Sequence, residues 1–278
     1  MITKFLKSRL SLGIATAAFT AMAFTATASD TINDTQRANA KALMSDALKS
    51  DLAYSIVESL TTEVGPRMAG SEAEERARQW GQELGEKLGF DRVSVEEFKM
   101  PFWDRGDLSI SLTKPYDQDL VGTALGGGAA SKGSIKSELV YFRSLEELKL
   151  VTENQIREKI AFVDGDMLVK SQTGAGYGQA NQRRRIGWQH AERGGAAALL
   201  VRSVGSDSHR FPHTGMMSSK EGDWASIPVI AVSNPDADQM RRLHNLGKPL
   251  EVNLKSGAKW KGEVSSGNVV LDLIGSER

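Results

Sequence analysis

The stretch IPVIAVSNPDADQMRRLHNLG, residues 227–247, holds the two elements from which the fold prediction starts. Residues 227–232 form a short apolar run rich in β-branched side chains, which predicts a strand. A helix is predicted at residues 235–246, with Asn234 as its N-cap, proline at the first helical position and Gly247 at its end. The stretch therefore predicts a strand followed directly by a helix.

The region around this unit, residues 104–264, is predicted to consist mostly of short strands between glycine-rich turns. It offers one further helix, at residues 179–193. Two helices are too few to cover a parallel sheet on both faces, so we expect a separate, β-rich α+β module. Its other strands are predicted at residues 120–125, 138–142, 159–164, 197–202, 250–254 and 259–264.

Helices are predicted in the part of the chain before this module. Residues 34–60 lack glycine and proline and space their apolar side chains at three and four, which predicts a helix. A second helix, residues 71–88, has a capping box of Ser71 and Glu74, an apolar stripe, and Gly89 to end it. Alternating apolar and polar residues predict further strands at residues 93–98, 108–112 and 268–274.

Residues 1–28 have the pattern of a cleaved secretion signal. Three basic residues precede an apolar stretch at residues 10–24, and Ala-Thr-Ala at 26–28 is the small-residue pattern that precedes a cleavage site. The alternative is a membrane anchor, which the serine and threonine residues within the apolar stretch disfavour. We therefore expect a secreted or periplasmic protein that has no membrane attachment once the signal is removed.

The composition excludes several classes of function. Of the 278 residues, 40% are hydrophobic and 25% are charged, as in globular and not in disordered proteins. Lys and Arg total 35, and so do Asp and Glu, so no overall positive field favours nucleic acid as a partner. The lack of cysteine excludes disulfides, thiolate zinc sites and cysteine nucleophiles. Any metal site would have to use His, Asp and Glu.

Only four histidines are available as metal ligands. His209 and His213, with Asp207 in the same loop, form the one local cluster, but the proline between the histidines prevents a helix that would place both on one face. A metal site is one interpretation of this cluster, and an ordinary packed or solvated loop is the other. His190 and His244 lie on predicted helices, where we expect a half-buried structural role and a role at the helix C-terminus, respectively.

Three other motifs favour structural roles over chemistry. GAGYG at residues 174–178 does not have the spacing of a dinucleotide-binding loop, and Arg202 stands where that fingerprint has an acidic residue. The basic run at residues 183–185 lacks interleaved aromatic residues, so we expect a solvated helix face. Carboxylates in the first turn of a helix complement its dipole, which is the role expected of Glu72, Glu74 and Glu75.

Six phrases of the chain together resemble the carboxypeptidase Q group of zinc exopeptidases, which carry an inserted protease-associated (PA) domain. In order and spacing, the resemblance extends from about residue 51 to residue 276. The phrases are LTTEVGPRMAGS (60–71), PFWDRG (101–106), GYG (176–178), GGAAALLVRS (194–203), PHTGMM (212–217) and IPVIAVSNPDADQMRRL (227–243).

This resemblance implies a fold that is both α/β and β-rich. Residues 29–103 would supply the N-terminal helices and an edge strand of an incomplete zinc-exopeptidase α/β domain. Residues 104–264 would form the PA-type module, and residues 265–278 would return to the peptidase sheet. The full-length family uses zinc and acts on dipeptides or short peptides, and the module would shape access to the active site or mediate a homodimer.

The same resemblance implies that the family's chemistry lies outside this chain. The first zinc-ligand pair of the family, a His-x-Asp phrase, follows the strand after the one predicted at residues 268–274, and the chain ends at Arg278. No catalytic, cofactor-binding or metal-binding residue is therefore assigned, no zinc is expected, and the chain alone is expected not to hydrolyse peptides. The alternative is a stand-alone exported PA-type interaction module.

Overall fold

The computed structural model describes residues 32–165, 176–218 and 222–275. The predicted secretion signal, residues 1–28, lies outside the described residues. The chain divides into two units, residues 1–58 and residues 59–278.

The first unit is helical in its described part. Helix α1 (Asp34–Ala47) begins with a capping box, in which the Asn33 side chain accepts from the backbone N–H of Gln36 at 2.8 Å. Helix α2 (Leu52–Ser59) begins after a break, where the Ser50 hydroxyl accepts from the backbone N–H of Leu52 at 3.2 Å. The prediction of one continuous helix over residues 34–60 is wrong, because the serine offers the backbone a cap that competes with the helix.

The second unit opens with a π-helical turn at Leu60–Val64 and helix α3 (Glu72–Lys87). The Ser71 hydroxyl accepts from the backbone N–H of Glu74 at 3.2 Å, as predicted. The Glu74 carboxylate, however, accepts from the N–H of Gly70 at 3.2 Å and not from that of Ser71. Only half of the predicted capping box is formed.

Helix α3 packs on a ribbon of two long antiparallel strands, β1 (Arg92–Asp104) and β10 (Lys259–Asp272). The approach is close at Gly81 of the helix, where a Cβ atom would lie 3.3 Å from Val269 Cγ2. The pairing of β1 with β10 runs from Arg92 opposite Asp272 to Asp104 opposite Lys259, with one irregularity between Pro101 and Trp103.

The continuity of β10 corrects the prediction of two strands at residues 259–264 and 268–274. Gly267, in the gap between them, stays in the ladder opposite Glu97, and a Cβ there would lie 2.8 Å from Val95 Cγ1. The glycine therefore serves close packing and does not end the strand. The predicted boundary between residues 264 and 265 falls inside β10.

Eight further strands form one mixed sheet, in the order β3-β2-β9-β5-β6-β7-β8-β4. They are β2 (Leu108–Lys114), β3 (Gln118–Asp119), β4 (Gly122–Ala124), β5 (Ile135–Phe142), β6 (Ile160–Val163), β7 (Ala198–Arg202), β8 (Val229–Val232) and β9 (Glu251–Ser256). Strands β5 to β8 are parallel to one another, and the other pairs are antiparallel. Strands β3 and β4 come from one segment, residues 118–124, which pairs with β2 at one edge and β8 at the other, so the sheet curls on itself.

Helices α4 (Leu145–Lys149) and α5 (Tyr177–Arg193) cover one face of the parallel strands, and α6 (Asn234–Asn245) covers the other. The expectation that the helices are too few to cover both faces is wrong. The parallel strands have only four to eight residues each, so short helices suffice. The mixed α/β and β-rich fold class is confirmed.

Two hydrophobic clusters fill the spaces on either side of the sheet. In one, Leu148 of α4 and Trp188 of α5 pack with Leu199 of β7. In the other, Met240 of α6 packs with Phe162 of β6 and with residues of β2 and β9. Alternate residues of β6, β7 and β8 enter opposite clusters, which explains why these strands are apolar except for Arg202 at the end of β7.

Ser233, and not Asn234, caps α6. The Ser233 hydroxyl accepts from the backbone N–H of Asp236 at 3.3 Å. The Asn234 carboxamide instead donates to the backbone carbonyls of Gly205 at 3.4 Å and Asp207 at 3.2 Å, in the loop after β7. This tertiary contact holds the asparagine side chain away from the helix end.

Candidate functional site

Buried polar residues follow the carboxyl ends of the parallel strands. Asp164 comes directly after β6, Arg202 ends β7, and Ser233 and Asn234 follow β8. All four are almost fully buried. Because the carboxyl ends of parallel strands meet at one edge of the sheet, residues far apart in the chain become neighbours here.

Asp164 is the centre of this buried network. Its carboxylate accepts from Arg202 Nε at 2.5 Å, from Arg241 Nε at 2.5 Å, and from the hydroxyl of Tyr141. Arg202 also donates through Nη2 to Asp238 at 2.5 Å. Burial alone would raise the pKa of Asp164, but the hydrogen bonds from these donors outweigh it and the pKa is lowered.

The pKa values of two groups that donate to Asp164 are raised. Burial, the hydrogen bond to Asp164 and its negative charge raise the pKa of Tyr141 to about 12. The hydrogen bond to Asp164 also raises the pKa of Arg241. The formal charges of the two arginines and two aspartates balance, so each buried charge in the network has a partner.

The loop after β7, residues 203–218, is tied to several elements. The backbone N–H of His213 donates to the Ser203 hydroxyl at 2.5 Å. Arg210 forms an ion pair with Asp236 at 2.9 Å. Further along, Met216 forms a parallel bridge with Gly126 just after β4. The side chain of Phe211 nevertheless remains 77% exposed.

Of the loop residues Asp207, His209 and His213, the structure brings only Asp207 and His209 together. His213 Nδ1 lies 3.2 Å from Arg184 Nη1, and since guanidinium can only donate, the imidazole nitrogen accepts. His209 Nδ1 accepts from the backbone N–H of Phe211 at 3.3 Å and lies 3.3 Å from Asp207 Oδ1. Among the described residues, no group of three His, Asp or Glu side chains could hold a metal ion. These residues therefore do not fit a zinc site.

The other two histidines pack within the fold. His244 stacks on Tyr141, with ring centroids 4.1 Å apart. His190 is half-buried, and its pKa is lowered first by burial and then by the positive charges of Arg193 and Lys149. The structural role expected of His190 agrees with this environment.

The basic run at residues 183–185 is mostly buried, which corrects the prediction of a solvated face. Arg183 donates through Nε to the carbonyl of Arg202 at 3.1 Å and through Nη2 to that of Ser203 at 3.3 Å. These carbonyls at the end of β7 need donors, and the helix supplies them. Arg184 is also buried, and only Arg185 is exposed.

Two further sequence motifs lie at the starts of α3 and α5. Glu72, Glu74 and Glu75 lie in the first turn of α3, as predicted. Glu74 also forms an ion pair with Arg78 at 3.4 Å. Of the GAGYG motif, Gly174 and Ala175 lie outside the described residues, while Gly176 is the left-handed N-cap of α5 with a φ of 89°.

A second group of polar residues converges on Thr214. Arg105 Nη1 donates to the hydroxyls of Thr123 at 2.9 Å and Thr214 at 2.8 Å. Arg184 Nη1 donates to the carbonyl of Thr214 and to His213, each at 3.2 Å. Arg184 is only 8% exposed, and its Nε has no hydrogen-bond partner among the described residues.

This group differs from the network around Asp164 in its charge. In the described ranges, no carboxylate forms an ion pair with Arg105 or Arg184, whereas Arg202, Arg210 and Arg241 each pair with an aspartate. Burial lowers the pKa of Arg105, as expected for a guanidinium removed from water without an anionic partner.

Trp103, which lies in strand β1 of the ribbon, contacts Arg105 of the group around Thr214. Its Nε1 donates to the carbonyl of Gly128 at 2.8 Å, and the guanidinium carbon of Arg105 lies 5.5 Å from its ring centroid. No local motif marks Arg105 or Thr214 as a functional residue, and the two are 109 positions apart. The only signal was that they lie in PFWDRG and PHTGMM, two phrases that carry the family resemblance.

Comparisons with known proteins agree with the fold. The chain is 32% identical over 226 residues to carboxypeptidase Q of Bos taurus, which covers 81% of this chain and 46% of that protein. It is 30% identical over 226 residues to carboxypeptidase Q of Homo sapiens, with the same coverage. The chain therefore spans about half the length of the curated relatives it matches. No family model matches it.

Two solved structures of other proteins are also similar to this chain. The peptidase M28 precursor of Shewanella amazonensis is 39% identical and superposes with a TM-score of 0.78, over 86% of this chain and 54% of that one. The zinc aminopeptidase BSAP of Bacillus subtilis shares the fold at 24% identity, with a TM-score of 0.52 over 78% of this chain and 45% of that one. The chain is therefore homologous to part of carboxypeptidase Q and of the M28 peptidase precursor. The resemblance to the carboxypeptidase Q group is confirmed.

Within the part of the chain that the structure describes, no helix combines the length and apolar character needed to cross a bilayer.

Proposed function

We propose that this chain is the N-terminal portion of a secreted or periplasmic zinc-dependent exopeptidase that acts on dipeptides or short peptides. Residues 29–103 and 265–278 contribute to its α/β peptidase domain, and residues 104–264 form its PA-type module. The main support is the 39% identity to the M28 peptidase precursor over 86% of the chain, together with the TM-score of 0.78.

In this proposal the zinc ligands and the general base are not among the described residues. The support comes from the two histidines that could have served as metal ligands. Nδ1 of both His209 and His213 already accepts a hydrogen bond. The guanidinium of Arg184 beside His213 also repels a cation. The role of the described residues is to frame access to the peptidase site or to mediate a homodimer.

An activity assay tests the proposal. The chain without residues 1–28 is purified, supplied with zinc and incubated with dipeptides, with full-length bovine carboxypeptidase Q as the positive control. We expect no turnover above background by the chain alone. Turnover that requires the metal and stops on addition of a chelator would place a complete active site within these residues and contradict the proposal.

Secretion is tested separately by expression with residues 1–28 attached. Mass spectrometry of the exported protein is expected to show Ser29 as the first residue. Retention of residues 1–28 in a membrane fraction would instead support an anchor.

The alternative function is a stand-alone exported interaction module. Its support is that every buried hydrophobic residue of the described ranges lies between Trp103 and Ala258, so the module holds a core of its own. The nucleotide sequence beyond codon 278 distinguishes the two. A continued reading frame that encodes a His-x-Asp phrase favours the exopeptidase, and a stop codon followed by an unrelated gene favours the module.

A further inference from the structure

We propose that Arg105, Arg184, His213 and Thr214 form a binding site for a carboxylate group, supplied by the C-terminus of a short peptide. The source of the carboxylate rests on the proposed function, because peptides are the substrate class of that function. The site itself rests on the chemistry of the residues that converge on Thr214.

Each of these side chains has a hydrogen that none of its hydrogen bonds to the described residues uses, so the site offers several donors to a ligand. Arg105 uses Nη1 for neutral oxygens, and none of the described residues accepts from its Nε or Nη2. His213 accepts at Nδ1, so its ring hydrogen is on Nε2. The Thr214 hydroxyl oxygen accepts from Arg105, which leaves its hydrogen to donate. Because the two charged side chains of the site, Arg105 and Arg184, are both cationic and offer donors, the site favours an anion.

No carboxylate of the described residues compensates the positive charge of the site. Arg184 is almost fully buried, and Arg105 is half-buried against Trp103 and a carbonyl of β4. Neither has a carboxylate partner in the described ranges, whereas the buried Arg202 is paired with Asp164. Since an unpaired buried guanidinium is costly, a bound anion would stabilise this arrangement.

The geometry favours a planar carboxylate. With Nη1 of Arg105 engaged, Nε and Nη2 remain as one edge of the guanidinium fork, and two parallel bonds from such an edge match the two oxygens of a carboxylate. His213 and Thr214 are exposed, so a ligand reaches the site from solvent. The bridge between Gly126 and Met216 holds the loop that carries both residues.

Calorimetric titration of the full chain with three ligands tests the site. Dialanine carries a C-terminal carboxylate, dialanine amide carries none, and acetyl-aspartyl amide carries only a side-chain carboxylate. We expect dialanine to bind at least about tenfold more tightly than its amide, the ratio expected for losing hydrogen bonds to a charged group. Equal affinity for dialanine and acetyl-aspartyl amide would retain the carboxylate site but overturn its C-terminal source.

Variants connect the binding to the named residues. Arg105→Gln is expected to weaken dialanine binding by at least about tenfold, and Arg105→Lys to weaken it less, because lysine keeps the charge but not the fork. Thr214→Val removes one donor while keeping the side-chain shape. Arg157→Gln, which removes an exposed arginine in the loop before β6, is the matched control and should bind as the unchanged chain does.

Failure of this inference is distinguishable from failure of the proposed function. No dialanine binding at up to about 10 mM, or equal binding of dialanine and its amide, would overturn the site and leave the homology to peptidases untouched. If Arg105→Gln fails to fold, as judged by circular dichroism, the comparison of ligands on the unchanged chain and the Thr214→Val variant still decide the question. Binding is measured without turnover, so an inactive chain does not affect the result.

Discussion

Arg202 is a fully buried arginine at the carboxyl end of β7. Only 1% of its side chain is exposed, and it is held by Asp164 and Asp238, each at 2.5 Å. A guanidinium in such a place costs several kcal/mol unless it is paired, so its stability depends on these carboxylates. Of the two carboxylates, Asp164 is expected to stabilise Arg202 more, because Asp164 is buried while Asp238 is partly exposed.

Asp164→Ala is therefore expected to lower the free energy of unfolding by about 3–5 kcal/mol, the cost of breaking a buried ion pair from one side. Urea denaturation followed by circular dichroism measures the change. Asp117→Ala, which removes an exposed aspartate, is the control and should change the free energy by less than about 0.5 kcal/mol. A comparable loss in both variants would mean that Asp164 does not stabilise Arg202.

The lowered pKa of Asp164 also predicts how stability depends on pH. A carboxyl group whose pKa is lower in the folded than in the unfolded chain stabilises the fold above its unfolded pKa of about 3.9. This contribution is lost as the pH falls from there through the folded pKa. Melting temperatures measured from neutral to acid pH should fall more steeply for the unchanged chain than for Asp164→Asn. Parallel curves would show that Asp164 titrates alike in both states.

These partnerships could not be predicted from local sequence. Arg202 was recognised only as the wrong residue for a nucleotide fingerprint, and its partner Asp164 is 38 positions away. Arg241, which shares that carboxylate, is 77 positions from it. The N-cap of α6 was misassigned by one residue for a similar reason, since the contacts of Asn234 lie in a distant loop.

At the scale of elements, the buried strands were the most predictable feature. All residues of β6, β7 and β8 are buried, and apart from Arg202 at the end of β7 each strand is a short apolar run in the sequence. The extent of β10 in the ribbon was harder to predict. Most of its residues are exposed or half-buried, and the strand contains Gly262 and Gly267. Helix α4, with five residues, is too short to produce a clear helical period.

Helix α5 allows a matched test of packing at its two ends. At Gly194, a Cβ atom would lie 2.7 Å from Cγ1 of both Val151 and Ile156, which are buried and β-branched. At Gly178, in the first turn, a Cβ would meet nothing within 4 Å. Gly194→Ala is expected to destabilise the fold by about 1–3 kcal/mol, and Gly178→Ala to stabilise it by up to about 1 kcal/mol. Thermal denaturation of both variants measures this, and a stabilised Gly194→Ala would contradict the packing described here.

At the scale of the whole molecule, the described hydrophobic core is confined to one region. Its first member is Trp103 and its last is Ala258. The residues that precede it contribute helices and one strand of the ribbon, with many apolar side chains exposed. The resistance of the chain to unfolding should therefore be unequal along its length.

Limited proteolysis is expected to reflect this inequality. Early cleavage should occur in the break between α1 and α2, at residues 48–51, and trimming should proceed from the N-terminal side towards Asp104. The fragment that persists should contain the eight-stranded sheet. Mass spectrometry of timed digests identifies the fragments, and uniform protection of the whole chain would show that the N-terminal helices are as stable as the module.

The family and the fold class could be predicted from whole phrases of sequence, but the converging groups could not. Arg105 precedes β2, Arg184 lies in α5, and Thr214 lies in the loop between β7 and β8. Each is unremarkable in its own segment, and the curled sheet brings them together. The one signal in the sequence is that Arg105 and Thr214 each lie in a phrase that carries the family resemblance.

The module leaves the ribbon and rejoins it at directly opposed residues, since Asp104 of β1 faces Lys259 of β10. All the residues between these two could be replaced by a tight Asn-Gly turn, and the ribbon would become an ordinary hairpin with its register unchanged. The pairing of β1 with β10 is therefore independent of the number of residues that lie between Asp104 and Lys259.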